Sequence, residues 1–80
     1  MPNPPTRDEL TALKSRAGNL SSGELRSIAE RSGYLHARSK GSHHQYTKPG
    51  QRTLVIQESM TSGTALAIVN RLLRELGDAQ

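Results

Sequence analysis

The chain has 80 residues, a net charge of +4 and no cysteine. This length allows one small domain with a single modest core, and the missing cysteines exclude disulfides and thiolate metal sites. No apolar run approaches the roughly 20 residues of a membrane-spanning helix, and the start, MPNPPTRDEL, lacks the pattern of a secretory signal. We therefore expect a soluble protein of the cytoplasm without a membrane partner.

Two short helices are predicted in the first part of the chain. After a Pro-rich lead, Thr6 and Glu9 form a capping-box pattern for a first helix that breaks near Gly18–Asn19. Ser21 and Glu24 repeat the pattern and predict that a second helix follows almost at once. Apolar residues recur at helical spacing after both caps, so each helix has one face for a core.

Three strands are predicted next, because from Tyr34 onward apolar and polar residues alternate. Gly41–Ser42 predicts one turn, and Lys48–Gln51 predicts another, with Pro and Gly where a type II turn requires them. The second strand then spans 43–47 and the third spans 52–57. Short turns of this kind join antiparallel neighbours.

A last amphipathic helix is expected to begin at Thr61 or Ser62 and to be stopped by Gly77. The element order α-α-β-β-β-α predicts an α+β fold with a small three-stranded antiparallel sheet. The strands carry too few apolar residues to be covered on both sides, so we expect the helices on one face only. The other face is then open to solvent.

The alternation of side chains along a strand separates the two adjacent histidines, since neighbours point to opposite faces. We expect His43 to be exposed on the open face and His44 to lie nearer the core. In the first strand the same alternation predicts an outward set and an inward set. The outward residues are His36, Arg38 and Lys40, and the inward residues are Leu35 and Ala37.

Charge is unevenly distributed, because the interval 31–57 contains no Asp or Glu but holds all three histidines. Its cations are Arg31, Arg38, Lys40, Lys48 and Arg52. A basic patch of this kind attracts polyanions and is typical of nucleic-acid binding.

The stretch KGSHHQYTKPGQRTLVI, between a helix that ends in RSGY and a final amphipathic helix, resembles the HicA toxins of type II toxin–antitoxin systems. The resemblance covers roughly residues 22–77, and its most specific part is Gly41-Ser42-His43. It implies a ribonuclease with a double-stranded-RNA-binding-like α-β-β-β-α fold that cleaves mRNA and is neutralised by a HicB-like antitoxin. On this basis residues 1–20 are an N-terminal extension with a short helix, and residues 21–80 are the HicA-like domain.

The resemblance places the catalytic histidine at His43, or at His44 as in members that carry it one position later. Strand alternation favours His43. The residues predicted to contact RNA are Arg38, Lys40, Ser42, Lys48 and Arg52. Cleavage of RNA without a metal needs groups that accept and donate protons and cations that hold the phosphate charge. Histidine, with an ordinary pKa near 6.5, can serve in either proton role.

No metal or cofactor is expected, since the nearest carboxylates in the sequence, Glu30 and Glu58, lie outside the histidine cluster.

Two features depart from the HicA pattern. The chain reads Gln57-Glu58-Ser59 where family members often carry a Pro and a His, and the helix at 6–20 is additional. That helix could cap the core, join a dimer interface or engage the antitoxin. Two other functions stay open, a non-catalytic RNA-binding module of the same fold and a protein-binding module for an acidic partner.

Overall fold

The computed structural model describes residues 3–78 and confirms the predicted element order, with a short 3-10 turn at Ala17–Asn19 between the first two helices. The helices are α1 (Arg7–Lys14), α2 (Ser22–Arg31) and α3 (Ser62–Asp78), and the strands are β1 (Leu35–Lys40), β2 (His43–Thr47) and β3 (Leu54–Gln57). The strands form one antiparallel sheet in the order β1-β2-β3. The fold is therefore α+β. No helix in the described part of the chain is long and apolar enough to cross a membrane.

The predicted caps begin the helices. The Thr6 hydroxyl accepts a hydrogen bond from the Glu9 backbone N–H at 3.1 Å, and Ser21 and Glu24 form a complete capping box. At α3 the Thr61 hydroxyl accepts from the backbone N–H of Thr64 at 3.2 Å. These bonds satisfy amide groups that a helix start leaves without partners.

The predicted end of α3 at Gly77 is wrong, because the helix continues to Asp78. Its last turn is held by packing: Leu76 lies against the core, and a Cβ at position 77 would come within 3.3 Å of the Arg7 guanidinium. Glycine costs a helix only about 1 kcal/mol relative to alanine, so tertiary contacts of this kind can override it.

The core lies between the helices and one face of the sheet. Its fully buried members include Leu10 of α1, Leu25 of α2, Tyr46 and Ile56 of the sheet, and Val69 of α3. Helix α1 packs against α3. The N-terminal helix thus contributes side chains to the same core as the strands.

The third strand begins two residues later than predicted, at Leu54. The backbone carbonyls of Arg52 and Thr53 accept hydrogen bonds from the Arg71 side chain of α3 instead of extending the ladder with β2. The preceding turn has the predicted form: Gly50 takes a φ of +81°, and the Gln51 N–H donates to the Lys48 carbonyl at 3.0 Å. A positive φ at the third turn position favours glycine.

The predicted faces of β1 are wrong at its start, because a register shift lies between His36 and Arg38. His36 pairs with Tyr46 and therefore lies on the same side of the sheet as that buried ring, although its own side chain is exposed on the edge strand. Leu35 pairs with Thr47 on the open side and is 71% exposed. Ala37 is the extra residue of this β-bulge. One inserted residue reverses the face of every side chain that precedes it.

Candidate nucleic-acid interface

His43 is exposed on the open face of the sheet, at the first position of β2, as predicted. It is held between two neighbours in register: Lys40 on β1 and Gln57 on β3. The Gly41–Ser42 turn immediately precedes it, and the Ser42 carbonyl accepts a hydrogen bond from the Glu58 N–H at 2.9 Å. This bond ties the turn to the end of β3 and fixes the strand end that carries His43.

A second row on the same face lies next to this one, with Arg38 opposite Gln45 and Gln45 opposite Val55. Arg38 and Lys40 are both exposed, and among the described side chains, those of residues 3–77, neither forms a salt bridge. The two cations are therefore free to bind an anion beside His43. Neither row contains a carboxylate.

The other predicted RNA contacts, Lys48 and Arg52, do not lie beside His43. Lys48 is five residues further along, and at about 3.3 Å per strand residue this places it roughly 16 Å away, at the opposite end of the sheet. Its ammonium donates a hydrogen bond to the Ser32 carbonyl at 2.8 Å and lies 5.6 Å from the centre of the Tyr34 ring. Arg52 lies in the connection at the same far end.

His44 lies on the helix-covered face and is only 8% exposed, as predicted. Its Nδ1 is 2.8 Å from the hydroxyl of Ser39, and that hydroxyl is 2.8 Å from Nε2 of His36. Its Nε2 lies 3.4 Å from a carboxylate oxygen of Glu58. The expectation that Glu58 lies outside the histidine cluster is therefore wrong for His44, because the end of β3 brings this carboxylate to the buried ring.

Glu58 also bears on which atoms donate in the hydrogen-bond chain formed by His36, Ser39 and His44. The tautomer of His44 with its hydrogen on Nε2 directs that hydrogen at this carboxylate, which can only accept, and in that tautomer Nδ1 accepts from the Ser39 hydroxyl. The Ser39 oxygen then accepts from His36 Nε2. The Nε2–H of His44 has no well-aligned hydrogen bond within the described residues, which leaves a buried donor held by electrostatic attraction alone.

The β-bulge explains why His36 lies in the hydrogen-bond chain with Ser39 and His44 and not on the open face with His43. Its ring centre lies 5.2 Å from that of Tyr46 and 5.8 Å from that of His44, on the covered side of the sheet. His43 is therefore the one histidine on the open face of the described structure. The alternation of residue types did not predict the contacts of His36 with Ser39 and His44, because an inserted residue leaves no signal in that pattern.

The two tyrosines are buried rather than displayed to a ligand. Arg26 Nε donates to the Tyr46 hydroxyl at 2.9 Å, and this bond raises the pKa of Arg26. The Tyr34 hydroxyl lies 2.7 and 2.8 Å from the two carboxylate oxygens of Glu75. Burial and then this carboxylate raise the pKa of Tyr34 to about 12. With both rings in the core, the open face offers charge and hydrogen bonds rather than tyrosine stacking.

Among the side chains that the structure describes, those of residues 3–77, no three of His, Cys, Asp or Glu are grouped so that they could hold a metal ion. The chain also matches no protein-family model, no curated protein and no solved structure among those compared.

Proposed function

We propose that the chain is a HicA-like toxin: an endoribonuclease of the cytoplasm that cleaves mRNA without a metal ion and is held inactive by a HicB-like antitoxin. In this proposal residues 21–80 form a double-stranded-RNA-binding-like domain, and residues 1–20 form its N-terminal extension. The observation that carries the proposal is the position of His43, exposed on an open sheet face beside two cations without salt-bridge partners in the described structure, Lys40 and Arg38.

The proposed reaction uses His43 for proton transfer. The imidazole accepts the proton of an RNA 2′-hydroxyl, whose oxygen attacks the adjacent phosphorus, and the bond from phosphorus to the 5′-oxygen breaks. The leaving 5′-oxygen takes up a proton from the imidazolium or from water. Lys40 and Arg38 stabilise the charge on the phosphate oxygens as the bonds change. With one histidine and no second acid or base beside it, a modest rate is expected.

The surroundings of the two adjacent histidines favour His43 over His44 as the catalytic residue. A general base must come within hydrogen-bond reach of the proton that it removes. His43 faces solvent, whereas the ring of His44 is buried and its Nδ1 already bonds to Ser39. We therefore assign His44 to the support of the strands and His43 to the chemistry.

RNA cleavage is expected to proceed at an unchanged rate in excess EDTA, because the proposed chemistry is carried by side chains. The measurement is the initial rate of cleavage of a labelled mRNA fragment by the purified chain, with and without EDTA. Loss of cleavage in EDTA that a divalent ion restores would contradict the proposal. Binding of the RNA without any cleavage would favour the non-catalytic RNA-binding module.

A second candidate function, binding of an acidic protein partner, is favoured by one observation. Leu35 and Val55, which are 71% and 39% exposed, both lie on the open face among its cations. Exposed apolar side chains surrounded by charge are common at protein interfaces. An acidic antitoxin seated there would cover His43, so the two functions are compatible.

A further inference from the structure

Three arginines meet at the end of the sheet that is remote from His43. A cavity of about 180 Å³ lies there between the connection that precedes β3 and the last turns of α3. Its lining residues are Gln51, Arg52, Arg71, Arg74 and Glu75. A water molecule occupies about 30 Å³ in the liquid, so the cavity has room for several water molecules or for a group of similar bulk, such as a phosphate.

Arg71 and Glu75 form the fixed wall of this cavity. The carboxylate of Glu75 bonds to the Tyr34 hydroxyl and accepts from Arg71 Nε at 3.0 Å. The Arg71 guanidinium also donates to the backbone carbonyls of Arg52 and Thr53. These two charges therefore neutralise each other, and their bonds hold the connection against α3.

Arg52 and Arg74 supply the charge that remains. Both side chains are exposed, and among the side chains described for residues 3–77 neither forms a hydrogen bond through its guanidinium or a salt bridge. Two guanidinium groups on the rim of a cavity whose described acid, Glu75, is already paired favour an anion with several acceptor oxygens. Phosphate fits this description, because guanidinium donors match its oxygens in pairs.

The cavity lies within reach of an RNA strand that is bound beside His43. Arg52 is five residues from Gln57, the β3 neighbour of His43, so the two sites are separated by roughly 16 Å at about 3.3 Å per residue. Arg38 lies on the edge strand β1, one row nearer than Lys40 to that end of the sheet. A strand that contacts Lys40 and Arg38, crosses the open face and passes its far end would reach the cavity beside α3 a few nucleotides from the bond that is cleaved.

We propose that this arginine cavity, defined by Arg52, Arg71 and Arg74, binds a backbone phosphate of the substrate RNA a few nucleotides from the cleavage site. The proposal rests on the proposed function and adds a binding subsite to it. A remote subsite has a specific consequence: it contributes to the binding of long RNA and not to the binding of RNA too short to reach it.

The test compares Arg74→Ala with Lys14→Ala on two RNAs that share one cleavage site, of about four and about 16 nucleotides. Lys14→Ala is the matched control, since it removes one exposed positive charge from α1. We expect Arg74→Ala to weaken binding of the long RNA by roughly threefold to tenfold and to lower its salt slope by about one unit. Binding of the short RNA and the rate at saturation should not change, and thermal melting verifies that each variant is folded.

Equal losses on both RNAs, or the same loss in Lys14→Ala, would overturn the subsite, because either result indicates a general charge effect. A second measurement uses inorganic phosphate as the probe. If phosphate raises the melting temperature of the wild type but not of Arg74→Ala, while Arg74→Ala binds the long RNA as tightly as the wild type does, the cavity takes a small anion and the inference is wrong. If the wild type neither binds nor cleaves either RNA, the proposed function itself fails.

Discussion

Replacement of His43 by alanine is expected to reduce RNA cleavage by roughly 10²–10⁴-fold, the usual contribution of a general acid–base group. His43 is exposed and makes no hydrogen bond through its ring within the described structure, so its removal should leave no buried group without a partner. Exposed substitutions of this kind usually change the free energy of unfolding by less than about 0.5 kcal/mol. The measurement is the single-turnover rate on a labelled RNA, with the melting temperature of the variant beside it.

Gln45→Ala is the matched control, because Gln45 lies on the same strand and the same face as His43 but carries no group that can transfer protons at neutral pH. It should retain most of the cleavage rate. A His43→Ala protein that cuts RNA as fast as the wild type would contradict the assignment. A loss of the same size in both variants would mean that the face binds RNA but that His43 has no special role.

Replacement of Leu10 by alanine is expected to lower the free energy of unfolding by about 2–5 kcal/mol, the usual range for a buried leucine. Leu10 is 1% exposed and lies on α1, the helix that has no counterpart in the resemblance to HicA toxins. A domain of this size has a total stability of only about 4–12 kcal/mol. The loss would therefore be visible in a urea titration as a large shift of the midpoint.

Leu35→Ala is the control for this substitution, since it removes the same atoms from a side chain that is 71% exposed. We expect it to change the free energy of unfolding by less than about 0.5 kcal/mol. A similar small effect for Leu10→Ala would mean that α1 is an appendage rather than part of the core. Of the roles open to this helix, its packing against α3 favours that of a cap on the core.

Local signals predicted most of the fold. Ser21 and Glu24 form the capping box that their spacing indicates, and Pro49-Gly50 forms the turn that their conformational preferences require. The period of two along β2 separates His43 from His44 correctly, because this strand contains no irregularity. Short-range rules were sufficient wherever the chain followed them without interruption.

The remaining features depend on contacts between distant parts of the chain. The bulge at Ala37 is invisible in the composition of β1, yet it moves His36 to the covered side and Leu35 to the open side. Glu58 reaches His44 only because pairing of β3 with β2 places the residue after β3 beside the turn that precedes β2. The arginine cavity was missed for the same reason, since Arg74 belongs to a helix that lies outside the acid-free interval.

The central claim is that RNA is cleaved by its own 2′-hydroxyl with His43 as the proton acceptor, and a substrate with a single altered sugar tests it most directly. Once the cleavage site in a short RNA has been mapped, the same RNA is made with a 2′-deoxy sugar at the nucleotide that precedes the cleaved bond. In EDTA the wild-type protein should cut the all-ribose RNA and leave the deoxy bond intact, while binding both with similar affinity. Cleavage at the deoxy bond at an undiminished rate would contradict the mechanism, because the attacking group could then not be the hydroxyl that His43 is proposed to activate.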